Sequence, residues 1–261
     1  MPHVSQSIQC ARKMIRIFAG NVGSGKTISI IKELAENKDN KYYPITFSNI
    51  KTNDLNNIVI TREMLICKTI TGAKRNGEET YKLTFNKDFW VEQREKYGGF
   101  NVVLDEAHTL FNSRKAMSSQ NIIMGDFLAL IRKLAQDSLG NCHLTLISQL
   151  IGRLDKIARD MATQIRYHCC VYDKVCNECG SRLLEHNEMP EPSMQCWNCG
   201  SYNLRKENHR LIVWFFKNID DFLDWNQMGE KRYYKIIKIQ NINYFFGLYD
   251  TLQIDNLISE S

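Results

Sequence analysis

No stretch of this chain is apolar for long. The longest such run, Leu211 to Phe216, falls far short of the roughly 18 to 20 residues a membrane-spanning helix needs. The polar N-terminus has no signal-peptide core, so the expectation is a soluble, cytoplasmic protein. A strong excess of either charge is also missing. A formal excess of +5 permits contact with nucleic acid but does not demonstrate it. There is no low-complexity linker, and no repeat beyond two short cysteine motifs. A disulfide framework is missing too: of nine cysteines, four form two C-x-x-C pairs and the rest have no regular spacing. That pattern favours metal binding in a reducing compartment. What is present is ample core material, 43% apolar residues in a chain of 261, enough for one large α/β domain with a small appendage.

Apolar runs alternate with helical patterns. Met14 to Ala19 reads as a strand, a glycine-rich loop follows, and Ile28, Ile31, Leu34 and Ala35 then recur at helical spacing. Pro44 to Ile50 and Asn57 to Ile60 are short strands, and Asn86 to Lys96 is a helix stopped by Gly98 and Gly99. Phe100 to Leu104 is a buried-type strand, Gln120 to Gln136 an amphipathic helix and Cys142 to Ser148 another strand. A helix from Arg153 to Ala162 and a strand from Gln164 to Asp173 complete the series. Alternation of this kind predicts a largely parallel sheet between helical layers.

The loop GNVGSGKT, residues 20 to 27, completes the pattern G-x-x-x-x-G-K-T between a strand and a helix, the context a phosphate-binding loop requires. Gly20, Gly23 and Gly25 let successive amides point inward at a phosphate, with Asn21, Val22 and Ser24 contributing backbone to the same cradle. The following helix adds its positive end. Lys26 reaches the β- and γ-phosphates, and Thr27 supplies a hydroxyl to magnesium. At the end of FNVVL, Asp105 is placed to hold a magnesium-bound water and Glu106 to polarise the attacking water. Gln149 closes LTLIS, where an amide can meet the γ-phosphate or serve as an ordinary polar strand end. His108 in DEAH reads as a helix-surface or packing residue in preference to one that couples hydrolysis to motion, because the chain has room for only one ATPase-like lobe. Arg132, Arg153, Arg159 and Arg166 flank this region, and none is singled out as an arginine acting on transition-state charge.

These motifs, with LIRKLAQDSLGNCHLTLISQ at 130 to 149, resemble the FtsK/HerA group of ring-forming, DNA-pumping ATPases over roughly residues 14 to 170. Within that group, SNI at 48 to 50 and SQLIGRLDKIARD at 148 to 160 are similar to zonular-occludens-toxin-like and viral genome-packaging ATPases. The resemblance implies a three-layer P-loop NTPase of the RecA-like ASCE type. It implies ATP and Mg2+ as cofactors, residues 20 to 27 on the phosphates, Thr27 and Asp105 on magnesium, Glu106 activating water and Gln149 sensing the γ-phosphate. It further implies viral or plasmid DNA as partner, double-stranded, moved by a hexameric ring in the host cytoplasm, with capsid or virion proteins as further partners. Two departures stand out. The membrane segment of the toxin-like phage proteins is not found, which favours packaging or transfer over membrane-anchored extrusion, and a cysteine module is added. A virion-assembly or secretion ATPase is one alternative, and a zinc-ribbon nucleic-acid adaptor with a nucleotide switch is another.

Cys176, Cys179, Cys196 and Cys199 give C-x2-C-x16-C-x2-C, the spacing of a structural Zn2+ ribbon, closed to catalytic water. Gly180 and Gly200 follow the two pairs and allow the tight turns. The ribbon either staples a small insertion or presents Arg182, Trp197, Tyr202, Arg205 and Lys206 to DNA or another partner. His168, Cys169 and Cys170 read as packing residues, since neighbours on a strand face opposite ways. HRLIVWFFK at 209 to 217 and RYYKIIKI at 232 to 239 are strands whose aromatics serve core and edge or stack on single-stranded nucleic acid. The expected organisation is an ATPase core over 1–174, a zinc-ribbon insertion over 175–202 and flanking or completing strands over 203–261.

Overall fold

The computed structural model describes residues 15–53, 55–73, 79–110, 119–135, 142–184 and 195–249. Met14, Gln136, residues 185–194 between the cysteine pairs and the tail from 250 to 261 lie outside these, and with them the ends of several expected elements.

In chain order the elements are β1 (Ile15–Ala19), α1 (Lys26–Glu36), β2 (Ile45–Ser48), β3 (Asn57–Val59), α2 (Arg62–Leu65), β4 (Ile66–Ala73), β5 (Glu79–Phe85), α3 (Lys87–Tyr97) and β6 (Phe100–Leu104). There follow α4 (Ser119–Leu134), β7 (Leu144–Ser148), α5 (Lys156–Asp160), β8 (Gln164–Cys176), β9 (Arg182–Leu184), β10 (Leu204–Phe216), α6 (Ile219–Met228) and β11 (Lys235–Ile239). A 3-10 segment, Ile242–Leu248, comes after them. The main sheet runs β3-β2-β6-β7-β1-β8-β10-β11, with β9 also paired to β8. From β3 to β8 every pairing is parallel, while β9, β10 and β11 add antiparallel strands on the β8 side.

Strands β1, β6 and β7 are buried at every residue, as expected of strands covered on both faces. Alternation divides their side chains between two cores. Ile15, Ile17, Val102, Leu144 and Leu146 face the larger one, with Trp90 of α3 and Met124, Phe127 and Ile131 of α4. Phe18, Val103 and Ile147 face the other, with Ile30, Ile31 and Leu34 of α1. Helices on both faces of the sheet make the three layers. The 3-10 segment crosses on the α1 side, where Phe245 packs against the apolar residues of both α1 and β10.

Several elements differ from the sequence reading: β2 is shorter than Pro44 to Ile50, and β8 runs on past Asp173 to Cys176. The helix expected from 153 to 162 is confined to Lys156–Asp160, because Asp155 caps it by accepting from Ile157 N at 2.8 Å and Ile151–Arg153 is a 3-10 turn. Strand β10 starts at Leu204 and pairs with β8 along its length except at an irregularity between Glu207 and Arg210, and β11 starts only at Lys235. The β4–β5 hairpin and α6 were not anticipated. Helix α6 has strong local signals: Asn218 accepts from Asp221 N at 2.8 Å, Asp220 and Asp221 occupy the first turn, and Gly229 ends it left-handed at φ 70°. Among the described residues no helix is long and apolar enough to cross a membrane.

Candidate functional site

The glycine loop follows β1 directly. Gly20, Gly23 and Gly25 all have positive φ, at 145°, 72° and 86°, a region costly for residues with a Cβ. At Gly20 a Cβ would stand 2.5 Å from the backbone oxygen of His168 on β8. The loop is therefore pressed onto the neighbouring strand, and only glycine fits. Lys26 Nζ donates to Gly20 O at 2.8 Å and Asn21 O at 2.9 Å, spanning the cradle from within. Burial lowers the Lys26 ammonium below its ordinary pKa, while Asp105 and Glu106 pull the other way. Asn21, Val22 and Gly23 are exposed at the loop crest, and Ser24 is buried beneath it.

The parallel order sets β7 between β1 and β6, so the ends of all three strands share one rim. Across it, Thr27 Oγ1 donates to Asp105 Oδ2 at 2.7 Å. Burial raises the Asp105 carboxyl pKa, against the hydrogen bond from Thr27. A carboxylate and a hydroxyl oxygen brought together where water is scarce suit a hard cation with oxygen ligands, so these residues fit magnesium. Glu106 has left-handed backbone, φ 50° and ψ 40°, rare for a non-glycine residue and often associated with function. Its Oε1 accepts from Gln149 Nε2 at 2.8 Å. Lys26, Thr27, Asp105, Glu106 and Gln149 thus form one connected site.

Asn49, in the turn after β2, belongs to the same site; the sequence marks it only within the SNI resemblance and assigns it no role. Its Nδ2 donates to Asp105 O at 2.9 Å, and its Oδ1 accepts from Asp105 N at 2.7 Å. This two-point grip fixes the backbone of the acidic turn. Asparagine in a turn has too many ordinary uses for the sequence to reveal this one.

The four arginines separate by environment. Arg166 is internal: its guanidinium lies over Phe18 and Phe215, each 4.9 Å from the ring centroid, and 3.7 Å from Glu33. Burial lowers its pKa to about 9. Arg132 and Arg153 are exposed and Arg159 is half-buried. His168 is fully buried against Phe18, with ring centroids 4.7 Å apart, and burial holds its pKa down at about 3. It is a packing residue under the glycine loop. His108 is drawn toward the acidic turn, its Nδ1 3.2 Å from Glu106 Oε2.

The cysteines converge at the far end of the β8–β10 ribbon. Sγ of Cys176 and Cys199 are 3.5 Å apart and those of Cys179 and Cys196 3.6 Å, with all four sulfurs within 4.8 Å of one another. Zinc–sulfur bonds of about 2.3 Å at tetrahedral angles separate sulfurs by roughly 3.8 Å, so the donors fit a four-thiolate metal. The two turns match. Gly180 N donates to Cys176 O at 3.0 Å and Gly200 N to Cys196 O at 2.8 Å, and both glycines are left-handed.

Residues 14–175 match the family described as Zonular occludens toxin (Zot). No curated protein matches the chain. Among solved structures, the N-terminal domain of zonular occludens toxin from Neisseria meningitidis is similar at 16% identity and a TM-score of 0.44, covering 92% of this chain and 100% of that one. The genome packaging NTPase B204 of Sulfolobus turreted icosahedral virus 2, in complex with ATP-gammaS, is similar at 17% identity and a TM-score of 0.35, over 59% of this chain and 74% of that one. B204 from Sulfolobus turreted icosahedral virus is similar at 16% identity and a TM-score of 0.37, over 59% and 75%. The family match takes in the glycine loop, the acidic turn and Gln149, and the chain belongs to the zonular occludens toxin family.

Proposed function

We propose that this protein hydrolyses ATP and couples the reaction to moving or packaging double-stranded DNA, working as a ring. The observation that carries the hydrolytic part is the convergence of Lys26, Thr27, Asp105, Glu106 and Gln149 on one rim of the sheet. Residues 20 to 27 bind the phosphates through backbone amides, and Lys26 leaves its carbonyl partners to meet the β- and γ-phosphates. Thr27 and Asp105 would hold magnesium, which would supply positive charge to offset that of the phosphates. Glu106 orients a water and takes its proton as the water oxygen attacks the γ-phosphorus. The bond to the bridging oxygen breaks, giving ADP and phosphate. Gln149 bridges Glu106 and the γ-phosphate position, linking cleavage to β7. A four-cysteine zinc ribbon over 175–202 is part of this reading, with the core over 1–174 and the sheet completed from 203 onward.

The DNA part rests on the resemblance of residues 130 to 149 to DNA-pumping ATPases. Family membership over residues 14–175 favours a second reading, an ATPase that drives virion assembly or secretion. The deciding experiment is ATP turnover with and without double-stranded DNA, together with sizing of the nucleotide-bound assembly. Stimulation by DNA in a ring supports translocation; turnover indifferent to DNA supports the second reading. Lys26→Ala is expected to lose nucleotide affinity, whereas Glu106→Gln keeps binding and loses about 100-fold or more in turnover. Full turnover in Glu106→Gln would refute the assignment.

A further inference from the structure

The Glu106 carboxylate is approached from two sides. Gln149 donates to Oε1 at 2.8 Å, while His108 Nδ1 lies 3.2 Å from Oε2. The latter two atoms are buried and have no other hydrogen-bond partner among the described residues. Leaving both uncompensated would cost free energy in desolvation. At 3.2 Å they stand within donor–acceptor reach, so each is the natural partner of the other. The backbone explains how residue 108 comes to face residue 106. From left-handed Glu106 the chain enters the 3-10 turn Ala107–Thr109, held by Thr109 N and Thr109 Oγ1, which donate to Glu106 O at 2.8 and 2.9 Å. Ala107 is fully buried and anchors the turn, and the histidine folds back over the acid.

We infer that His108 is a positioning residue for Glu106, fixing with Gln149 the carboxylate that addresses the attacking water; this rests on the hydrolytic reading above. A glutamate has three rotatable bonds, and a donor on each oxygen selects one rotamer. Each carboxylate oxygen accepts more than one hydrogen bond, so the two donors leave capacity for water. Nδ1 donates to Oε2 whenever it carries a proton. Gln149 alone leaves the carboxylate free to pivot about the bond to Oε1. His108 removes that freedom.

The test compares the full-length protein with His108→Ala and His108→Asn, measuring kcat, KM and the affinity of a fluorescent ATP analogue. Asparagine places an amide donor near the position of Nδ1. His108→Ala is expected to lower kcat roughly tenfold, comparable to the smaller losses seen when a partner that orients a metal ligand is removed. Analogue affinity should stay within twofold of wild type, and His108→Asn should recover most of the loss. In a Glu106→Gln background, His108→Ala should subtract little more, because the group it orients is already disabled. Wild-type kcat in His108→Ala overturns the inference, as does equal loss in the alanine and asparagine variants with full affinity. Absence of turnover in the wild-type protein itself overturns the hydrolytic reading and is thereby distinguished from failure of the histidine's role.

Discussion

Gly20 and Gly23 have different reasons for being glycine. Both have positive φ, but a Cβ at Gly20 meets backbone of β8 at 2.5 Å, whereas one at Gly23 meets nothing within 4 Å. Gly23→Ala should therefore pay only the left-handed penalty, about 1–2 kcal/mol. Gly20→Ala should cost clearly more, because the loop must lift from His168, and should weaken ATP binding as the cradle shifts. Thermal melts and analogue titration of the two variants give the ranking; a Gly20→Ala protein as stable as Gly23→Ala would contradict the close approach. Asn49 acts at this scale too. Asn49→Ala removes both hydrogen bonds to the Asp105 backbone and should lower turnover more than nucleotide affinity, since in the proposed mechanism the acidic turn serves cleavage more than phosphate binding. Comparison of kcat with analogue affinity checks it.

At the scale of elements, one ionic network ties α1 to the sheet beneath it. Arg16 of β1 is buried and donates to both Glu33 carboxylate oxygens of α1 at 3.1 Å and to Thr145 Oγ1 of β7 at 2.9 Å. Tyr43 OH donates to Glu33 at 3.0 Å, and Arg166 of β8 stands on its other side. Burial alone would push the Glu33 carboxyl up, but Arg16 and Arg166 together hold it at about 2. A carboxyl that is more acidic in the folded protein than in the unfolded chain stabilises above the unfolded pKa. That contribution, on the order of 3 kcal/mol, is lost as pH falls from about 4.5 through about 2. Glu33→Gln should destabilise the protein at neutral pH, by leaving two guanidinium groups without their counter-charge. The gap in melting temperature between wild type and variant should narrow over that acid window. A gap constant from pH 7 to pH 2 would mean that the ion pairs are not the source of stability.

At the scale of the whole molecule, β8 and β10 belong to two structures at once. Near the phosphate loop, β8 pairs with β1 only from Gln164 to Tyr167. Beyond that it runs on with β10 to Cys176, about 30 Å further at 3.3 Å per residue. The cysteine cluster ends this arm with little core of its own, and Trp197 and Tyr202 on it are each 73% exposed. Metal would supply the stability that burial does not. Removal of zinc by a chelator, or Cys176→Ser, should release about one zinc per chain and expose amides of residues 171–182 and 195–209 to hydrogen exchange. Protection of β1 and α1 should persist, because their contacts stop short of the arm. Loss of protection throughout would show that the arm and core fold as one unit.

The amino-acid sequence by itself determined the features with local physical requirements. A phosphate loop favours glycine where φ is positive, thiolates separated by two residues can turn about one metal, and strands buried on both faces are mostly apolar, their buried Arg16 and Thr145 being paired with each other. The β4–β5 hairpin has a weak apolar pattern because its outer half is exposed and rich in threonine and lysine, although Asn76-Gly77 between its runs is a recognised turn signal. Only the tertiary structure decided which distant side chains meet: Thr27 with Asp105, Glu106 with Gln149, Arg16 with Glu33 and Thr145. These contacts depend on the strand order β6-β7-β1-β8. Non-local pairing sets that order, and no local residue pattern specifies it.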